Sequence, residues 1–241
     1  MSLSRNHIKL ITSLRQKKYR LKHKLFVAEG VKVVEELLNS NFEIEKLFAT
    51  EDYKPFAKES DIVSISALEL KKISQLKSPN KVLGLFKIPA EEVLPSQGLI
   101  VALDEINDPG NLGTIIRLCD WFGVAKLVCS EKTVDCFNQK VVQASMGSLS
   151  RVSIGYQDLI SFLEGCELPT FIADMDGENV YETELPKEAV LIMGNEANGI
   201  SDQIRDTIDR KVAIPRFGTV QQTESLNVAT ATAILLSEFK R

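Results

Sequence analysis

The chain has 241 residues, with 29 lysines and arginines against 33 aspartates and glutamates, a net charge of −4. Hydrophobic content of 44% and charged content of 26% are ordinary for a globular protein of one large or two ordinary domains. No apolar run reaches the ~18 residues of a membrane-spanning helix and the first residues lack the apolar core of a signal peptide, so a cytoplasmic protein with no membrane partner is expected.

The charge is unevenly placed. Residues 1–24 hold Arg5, Lys9, Arg15, Lys17, Lys18, Arg20, Lys22 and Lys24 and no acid. The rest keeps 21 of the 29 basic residues against all 33 acidic ones, a net of −12. Such a basic segment on an acidic chain reads as a local polyanion-binding face, and Arg15, Lys17, Lys18, Arg20, Lys22 and Lys24 are its candidate contacts.

Within this segment Ile8, Ile11 and Leu14 recur at helical spacing, so the basic residues lie on the other side of an amphipathic helix. Lys24–Ala28 reads as a strand, and Val31, Val34, Leu37 and Leu38 mark a second apolar helix face. Strands follow at Glu43–Thr50 and Asp61–Ile65. Ser66-Ala-Leu-Glu69 is a capping-box pattern opening a short helix, and Val82–Ile88 closes the first domain. The polar, proline-bounded stretch 89–97 reads as a linker, separating a domain of residues 1–88 from one of residues 98–241.

Past the linker, strands are predicted at Leu99–Leu103, Lys126–Ser130, Arg151–Gly155, Thr170–Ala173, Val190–Met193 and Val212–Ile214. Helices are predicted at Leu112–Phe122, Asn138–Met146, Asp158–Leu163, Ser201–Ile208 and Leu226–Phe239. Several strands are short and apolar on both faces, the signature of a parallel sheet covered by helices. Cys119, Cys129, Cys136 and Cys166 form no CxxC pair and both histidines, His7 and His23, lie in the basic segment. No metal is therefore expected, and the cysteines read as buried reduced thiols.

Three polar segments follow buried strands. In Asp104-Glu-Ile-Asn-Asp-Pro-Gly-Asn-Leu-Gly-Thr-Ile-Ile-Arg117, Asn111 stands where a helix N-cap belongs and Arg117 lies nearly two turns further on. A cap beside a cation can grip a phosphate or a ribose. In Leu191-Ile-Met-Gly-Asn-Glu-Ala-Asn-Gly-Ile200, Gly194 and Gly199 permit close backbone approach, and Glu196 is a carboxylate at a strand's C-terminal end. In the third, Ile214 ends a strand, Gly218 and Ser225 bracket a loop, and Asn227 opens the last helix. Neither a G-x-G-x-x-G dinucleotide fingerprint nor a phosphate-binding P-loop is present, and the confinement of both histidines to the basic segment argues against a Ser/His or Cys/His catalytic set.

Taken in order, Asn111-Leu-Gly-Thr-Ile-Ile-Arg117, Met193-Gly-Asn-Glu-Ala-Asn-Gly199, and Ile214-Pro with Ser225-Leu-Asn-Val228 resemble the three motifs of the SpoU/TrmH family of RNA 2′-O-ribose methyltransferases, in the SPOUT class. Residues 1–88 resemble that family's small α/β substrate-binding domain. The resemblance implies a C-terminal parallel sheet with a deep trefoil knot, and S-adenosylmethionine held by backbone groups of Gly194, Ile214 and Leu226, with Ser225 and Asn227 shaping the site. It assigns Arg117, Asn111 and Glu196 to catalysis, with Arg117 stabilising charge rather than acting as a base, because arginine stays protonated. It implies a homodimer acting on RNA, ribosomal RNA ahead of tRNA. Arg216 stands where the family usually has Met, and the loop from Gly218 to Ser225 is longer than usual. Two other readings stay open: an RNA-binding assembly factor without catalysis, and a small-molecule α/β enzyme, which leaves the basic segment unexplained.

Overall fold

The computed structural model describes residues 3–54, 62–90, 97–195, 197–218 and 225–241. In chain order the first elements are α1 (Arg5–Ser13), α2 (Lys17–His23), β1 (Leu25–Glu29), α3 (Val31–Leu38), β2 (Ile44–Ala49), β3 (Ile62–Ser64), α4 (Ala67–Ile73) and β4 (Val82–Lys87). Then come β5 (Leu99–Leu103), α5 (Pro109–Phe122), β6 (Lys126–Cys129), α6 (Gln139–Ser145), β7 (Ile154–Tyr156) and α7 (Leu159–Glu164). The last are β8 (Thr170–Asn179), β9 (Ala189–Met193), α8 (Asp202–Arg205), β10 (Lys211–Ala213) and α9 (Val228–Phe239). The chain divides into two compact units, Met1–Glu91 with Asp135–Ser150 and Glu92–Val134 with Arg151–Arg241.

In the first unit the sheet order is β1-β4-β2-β3, with β4 antiparallel to both β1 and β2, and β3 parallel to β2. Ile11, Leu14, Phe48, Leu70, Leu83 and Leu85 bury one face. The capping box is formed as its pattern requires: the Glu69 backbone N–H donates to the Ser66 hydroxyl, and the Ser66 N–H to the Glu69 carboxylate. The basic segment makes two helices rather than one, and Lys24 ends the second in the left-handed conformation at φ 53°. The helix α6, placed past the linker by the sequence, belongs to this first unit. Its preceding Phe137 packs on Phe26 of β1 with ring centroids 4.9 Å apart.

Arg20 corrects the surface reading of the basic segment. It is only 3% exposed. Its guanidinium donates to the Asp135 carboxylate, with Nε at 2.8 Å, and its Nη1 donates to the carbonyls of Leu14 and Arg15 at 2.8 and 3.0 Å. Carbonyls at a helix C-terminus have no intrahelical donor, and a planar guanidinium can serve several acceptors at once. Glu29, 2% exposed at the end of β1, accepts from the Ser74 hydroxyl, the Gln75 N–H and the Gln139 side-chain amide. Burial pushes its carboxyl above the usual range, while the bonds from Ser74 and Gln75 pull it down.

In the second unit all six strands run parallel, in the order β10-β8-β9-β5-β6-β7. β5, β6 and β9 are buried along their whole length, as the unbroken apolar runs predict. Ile100, Ala102, Val190 and Ile192 join Leu159 and Ile204, from α7 and α8, in one core. Helix α5 packs against α9, whose Phe239 meets Phe171 edge-on at 5.5 Å. β8 continues to Asn179, past the predicted Ala173. After pairing at Ile172 the chain detours and rejoins β10 at Glu178 and Asn179. A Cβ on Gly177 would lie 2.6 Å from the Lys211 and Val212 backbone, so this pairing requires glycine there. β7 begins at Ile154, later than predicted, Ser148–Ser150 forms a 3-10 turn, and α8 is shorter than predicted. Cys119, Cys129 and Cys136 are buried and Cys166 is intermediate, and among the described residues none forms a disulfide. Burial pushes the Cys119 and Cys129 thiols up.

Arg20→Ala leaves the Asp135 carboxylate without its cation, and is expected to lower the unfolding free energy by about 3 kcal/mol in urea denaturation. Arg20→Lys should recover little, since an ammonium cannot reproduce the fork. A wild-type midpoint for Arg20→Ala would show that the pair contributes nothing.

Candidate functional site

From β5 the strands step outward through β6 to β7, while β8, β9 and β10 lie on the other side. The order reverses between β5 and β9. In parallel sheets, ligand crevices form beyond the C-terminal strand ends at such a reversal. The three polar segments leave β5, β9 and β10 at those ends.

The first segment is fixed by groups that the sequence reading passed over. Asp104, 4% exposed, donates its backbone N–H to the Met193 carbonyl at 2.9 Å, and its carboxylate accepts from the Ser201 N–H at 2.7 Å. Asn195 donates from Nδ2 to the Glu105 carbonyl at 2.7 Å and accepts from the Ala197 N–H at 2.8 Å. Asn195 and Gly199 also exchange both backbone bonds, at 2.9 and 2.8 Å. The loops after β5 and β9 thus hold each other through polar groups with satisfied partners. The available signal was a lone Asp directly after five apolar residues, where a buried carboxylate must find donors.

Asn111 is not the N-cap of α5. Asp108 caps it, accepting from the Asn111 N–H at 2.8 Å, and Pro109 takes the first helical position. Proline suits that position because its φ is already helical and it lacks the N–H that would be orphaned there. With the cap supplied by Asp108, the Asn111 side chain reaches across to the third motif, where its Oδ1 accepts from Asn227 Nδ2 at 2.9 Å. Asn227 is the cap of α9, its Oδ1 accepting from the Ala229 and Thr230 N–H groups at 3.0 and 3.2 Å. Its amide nitrogen is then turned toward Asn111, and the first and third motifs meet at two helix starts.

Gly194 follows β9 so close to the returning loop that a Cβ would lie 2.5 Å from the Gly199 carbonyl carbon. Among the described residues the backbone of Ile214 and Leu226 makes no hydrogen bond. Leu226 and Ser225 are exposed. Arg117 is exposed on α5, about 9 Å along the axis from Asn111, and makes no salt bridge to a described residue. Glu196 lies outside the described residues, as does most of the longer loop, 219–224. The structure thus brings Asn111 and Asn227 together, sets Gly194 against its own loop, and leaves Arg117 apart from them. In the first unit Arg15, Lys17, Lys18, Lys22 and Lys24 are exposed. A cleft of about 690 Å³ runs along the β8–β10 edge, lined by Phe171, Glu178 and Lys211, but it touches none of the three motifs.

Asn227→Ala is expected to cost about 1 kcal/mol through the lost cap and to deprive Asn111 of this donor. Asn227→Asp should keep the cap acceptor, and with it the stability, while losing the donor to Asn111. Equal stability of Asn227→Ala and wild type in thermal melts would remove the cap from the account.

Known proteins share this sequence and architecture. Residues 98–237 match the SpoU rRNA Methylase family, and residues 5–84 match the MRM3-like substrate binding domain. The 23S rRNA (guanosine(2553)-2'-O)-methyltransferase RlmP of Bacillus subtilis is 30% identical over 237 residues, covering 92% of this chain and 91% of that protein. A putative RNA methyltransferase of the TrmH family from Porphyromonas gingivalis superposes with a TM-score of 0.86 at 37% identity, over 98% of each chain. An AdoMet-bound rRNA methyltransferase from Sinorhizobium meliloti superposes with a TM-score of 0.85 at 27% identity, over 100% of this chain and 97% of that one. The chain belongs to the SpoU rRNA methylase family.

Proposed function

We propose that this protein transfers a methyl group from S-adenosylmethionine to a ribose 2′-hydroxyl of RNA, with ribosomal RNA ahead of tRNA. The observation that carries it is the Asn111–Asn227 bond, which joins two motifs of the family at the switch point of the sheet. The RNA preference follows the alignment with a 23S rRNA enzyme over nearly the full chain. Residues 98–241 supply the transfer site and residues 1–88 the basic face. No helix among the described residues is long and apolar enough to cross a membrane, which suits a cytoplasmic site of action.

The donor set fits the cofactor. Among the described residues the backbone of Ile214 and Leu226 makes no hydrogen bond, which suits a ligand held by main-chain atoms. S-adenosylmethionine supplies an electrophilic methyl on a sulfonium, and the transfer needs no metal. Ser225 and Asn227 shape the third loop, and the family resemblance assigns Glu196 to catalysis. The Arg117 guanidinium orients an RNA phosphate and stabilises charge on the ribose oxygen as its proton passes to solvent water. Asn111 holds the loop of Asn227 rather than touching Arg117. Arg117 shares the exposed side of α5 with Thr114 and with Trp121, which is 84% exposed. A patch of this kind fits a homodimer through α5, which would bring a second copy's loops toward Arg117. The packing of α9, which follows the edge strand β10, onto α5 supports the trefoil knot that the family resemblance implies.

Calorimetry should detect S-adenosylmethionine binding to the wild type. Arg117→Ala should lower methyl transfer by roughly a hundredfold or more while keeping that affinity, because Arg117 acts on the RNA and not on the cofactor. Absence of binding heat would favour the assembly-factor reading, and full activity of Arg117→Ala would end its assigned role.

Replacing Lys17, Lys18, Lys22 and Lys24 by Gln should weaken RNA binding and flatten its salt dependence, by about 0.7 to 0.9 for each phosphate that is no longer neutralised. An unchanged slope would remove these lysines from the RNA face.

A further inference from the structure

Beside the third motif lies a patch that the transfer chemistry does not use. Phe217 is 82% exposed, Met175 61% and Tyr181 37%. The rings of Phe217 and Tyr181 lie 6.3 Å apart between centroids, inclined by 31°. Arg216 points Nη2 at the Met175 sulfur, 3.0 Å away. Isolated exposed apolar side chains are ordinary, but an exposed aromatic pair with a cation and a thioether beside it is not.

The strand ends hold this patch in place. Tyr181 follows β8 and Phe217 follows β10, and the Val180 N–H donates to the Ala213 carbonyl at 2.9 Å where the two strands finish. The Tyr181 N–H is tied to the Asn179 side chain at 3.2 Å. Phe217 stands three residues beyond Ile214, one of the residues proposed to hold the cofactor, so the patch is continuous in sequence with the transfer site.

We infer that Phe217 and Tyr181, with Arg216, form a stacking platform for an unpaired nucleobase next to the ribose that is methylated. This rests on the methyltransferase reading and narrows its substrate to a ribose in a loop, bulge or single strand. An aromatic ring offers its face to any base, and a guanidinium beside it meets the phosphate of the same strand. Bases inside a duplex keep their faces stacked, whereas proteins read RNA by splaying out unpaired bases onto aromatic rings. The polar neighbours and the arginine distinguish the patch from a purely apolar docking face.

The test uses the full chain, an unstructured mixed-sequence oligoribonucleotide and the same strand annealed to its complement. The wild type should bind the single strand more tightly than the duplex. Phe217→Ala should weaken single-strand binding roughly tenfold, leave duplex binding unchanged and leave S-adenosylmethionine affinity unchanged. Phe217→Trp should retain the preference and show fluorescence quenching on adding the single strand. Equal single-strand affinity in Phe217→Ala and wild type, or equal losses for both RNAs, would overturn the platform. A wild type that shows the preference but methylates no RNA in any state would overturn the methyltransferase reading and keep the platform.

Discussion

Helix α9 leaves the edge of the second sheet after β10 and lies against α5, where Asn227 donates to Asn111. The candidate site depends on that return. Without it, the first segment would sit over β5 and the third would trail from the edge. Packing of α5 on α9 supplies the apolar contact, and the asparagine pair sets the register at the helix starts. Each asparagine is committed by its other bonds, Asn227 through its cap and Asn111 through a first-turn N–H taken by Asp108. A bond between two side chains thus joins two loops of distant sequence.

Polar groups around this point hold the loops still. Asp104 and Asn195 follow neighbouring strands, and each satisfies backbone groups of the other's loop. Removing such a partner leaves a buried donor or acceptor unpaired, which costs far more than the bond itself adds. Arg117 differs. It is exposed and makes no ion pair with a described residue.

The first unit uses charge in two opposite ways. Arg20 and Glu29 are buried, Arg20 among acceptors and Glu29 among donors. The neighbours of Arg20 in sequence, Lys17, Lys18, Lys22 and Lys24, stay in water. Composition counts all of these as one basic segment, because charge per residue carries no information about which side chain turns inward.

The sequence alone determined the alternation of strand and helix, the parallel character of the second sheet, the capping box at Ser66 and the three motifs that mark the family. These are local: apolar runs, turn residues and capping residues act within a few positions, so their pattern survives in the linear chain. Tertiary structure decided what local pattern does not encode. It took Arg20 inward, because only the fold brings Asp135 and the end of α1 to its guanidinium. It moved the cap of α5 from Asn111 to Asp108 and gave Asn111 a partner 116 residues away. It carried β8 on to Asn179, where Glu178 and Asn179 pair with β10 after a detour from Ile172. It placed Phe217 beside Tyr181, from two strands that are not consecutive in the chain. Each of these outcomes turns on which distant group is near, and distance in space is fixed only when the chain has folded.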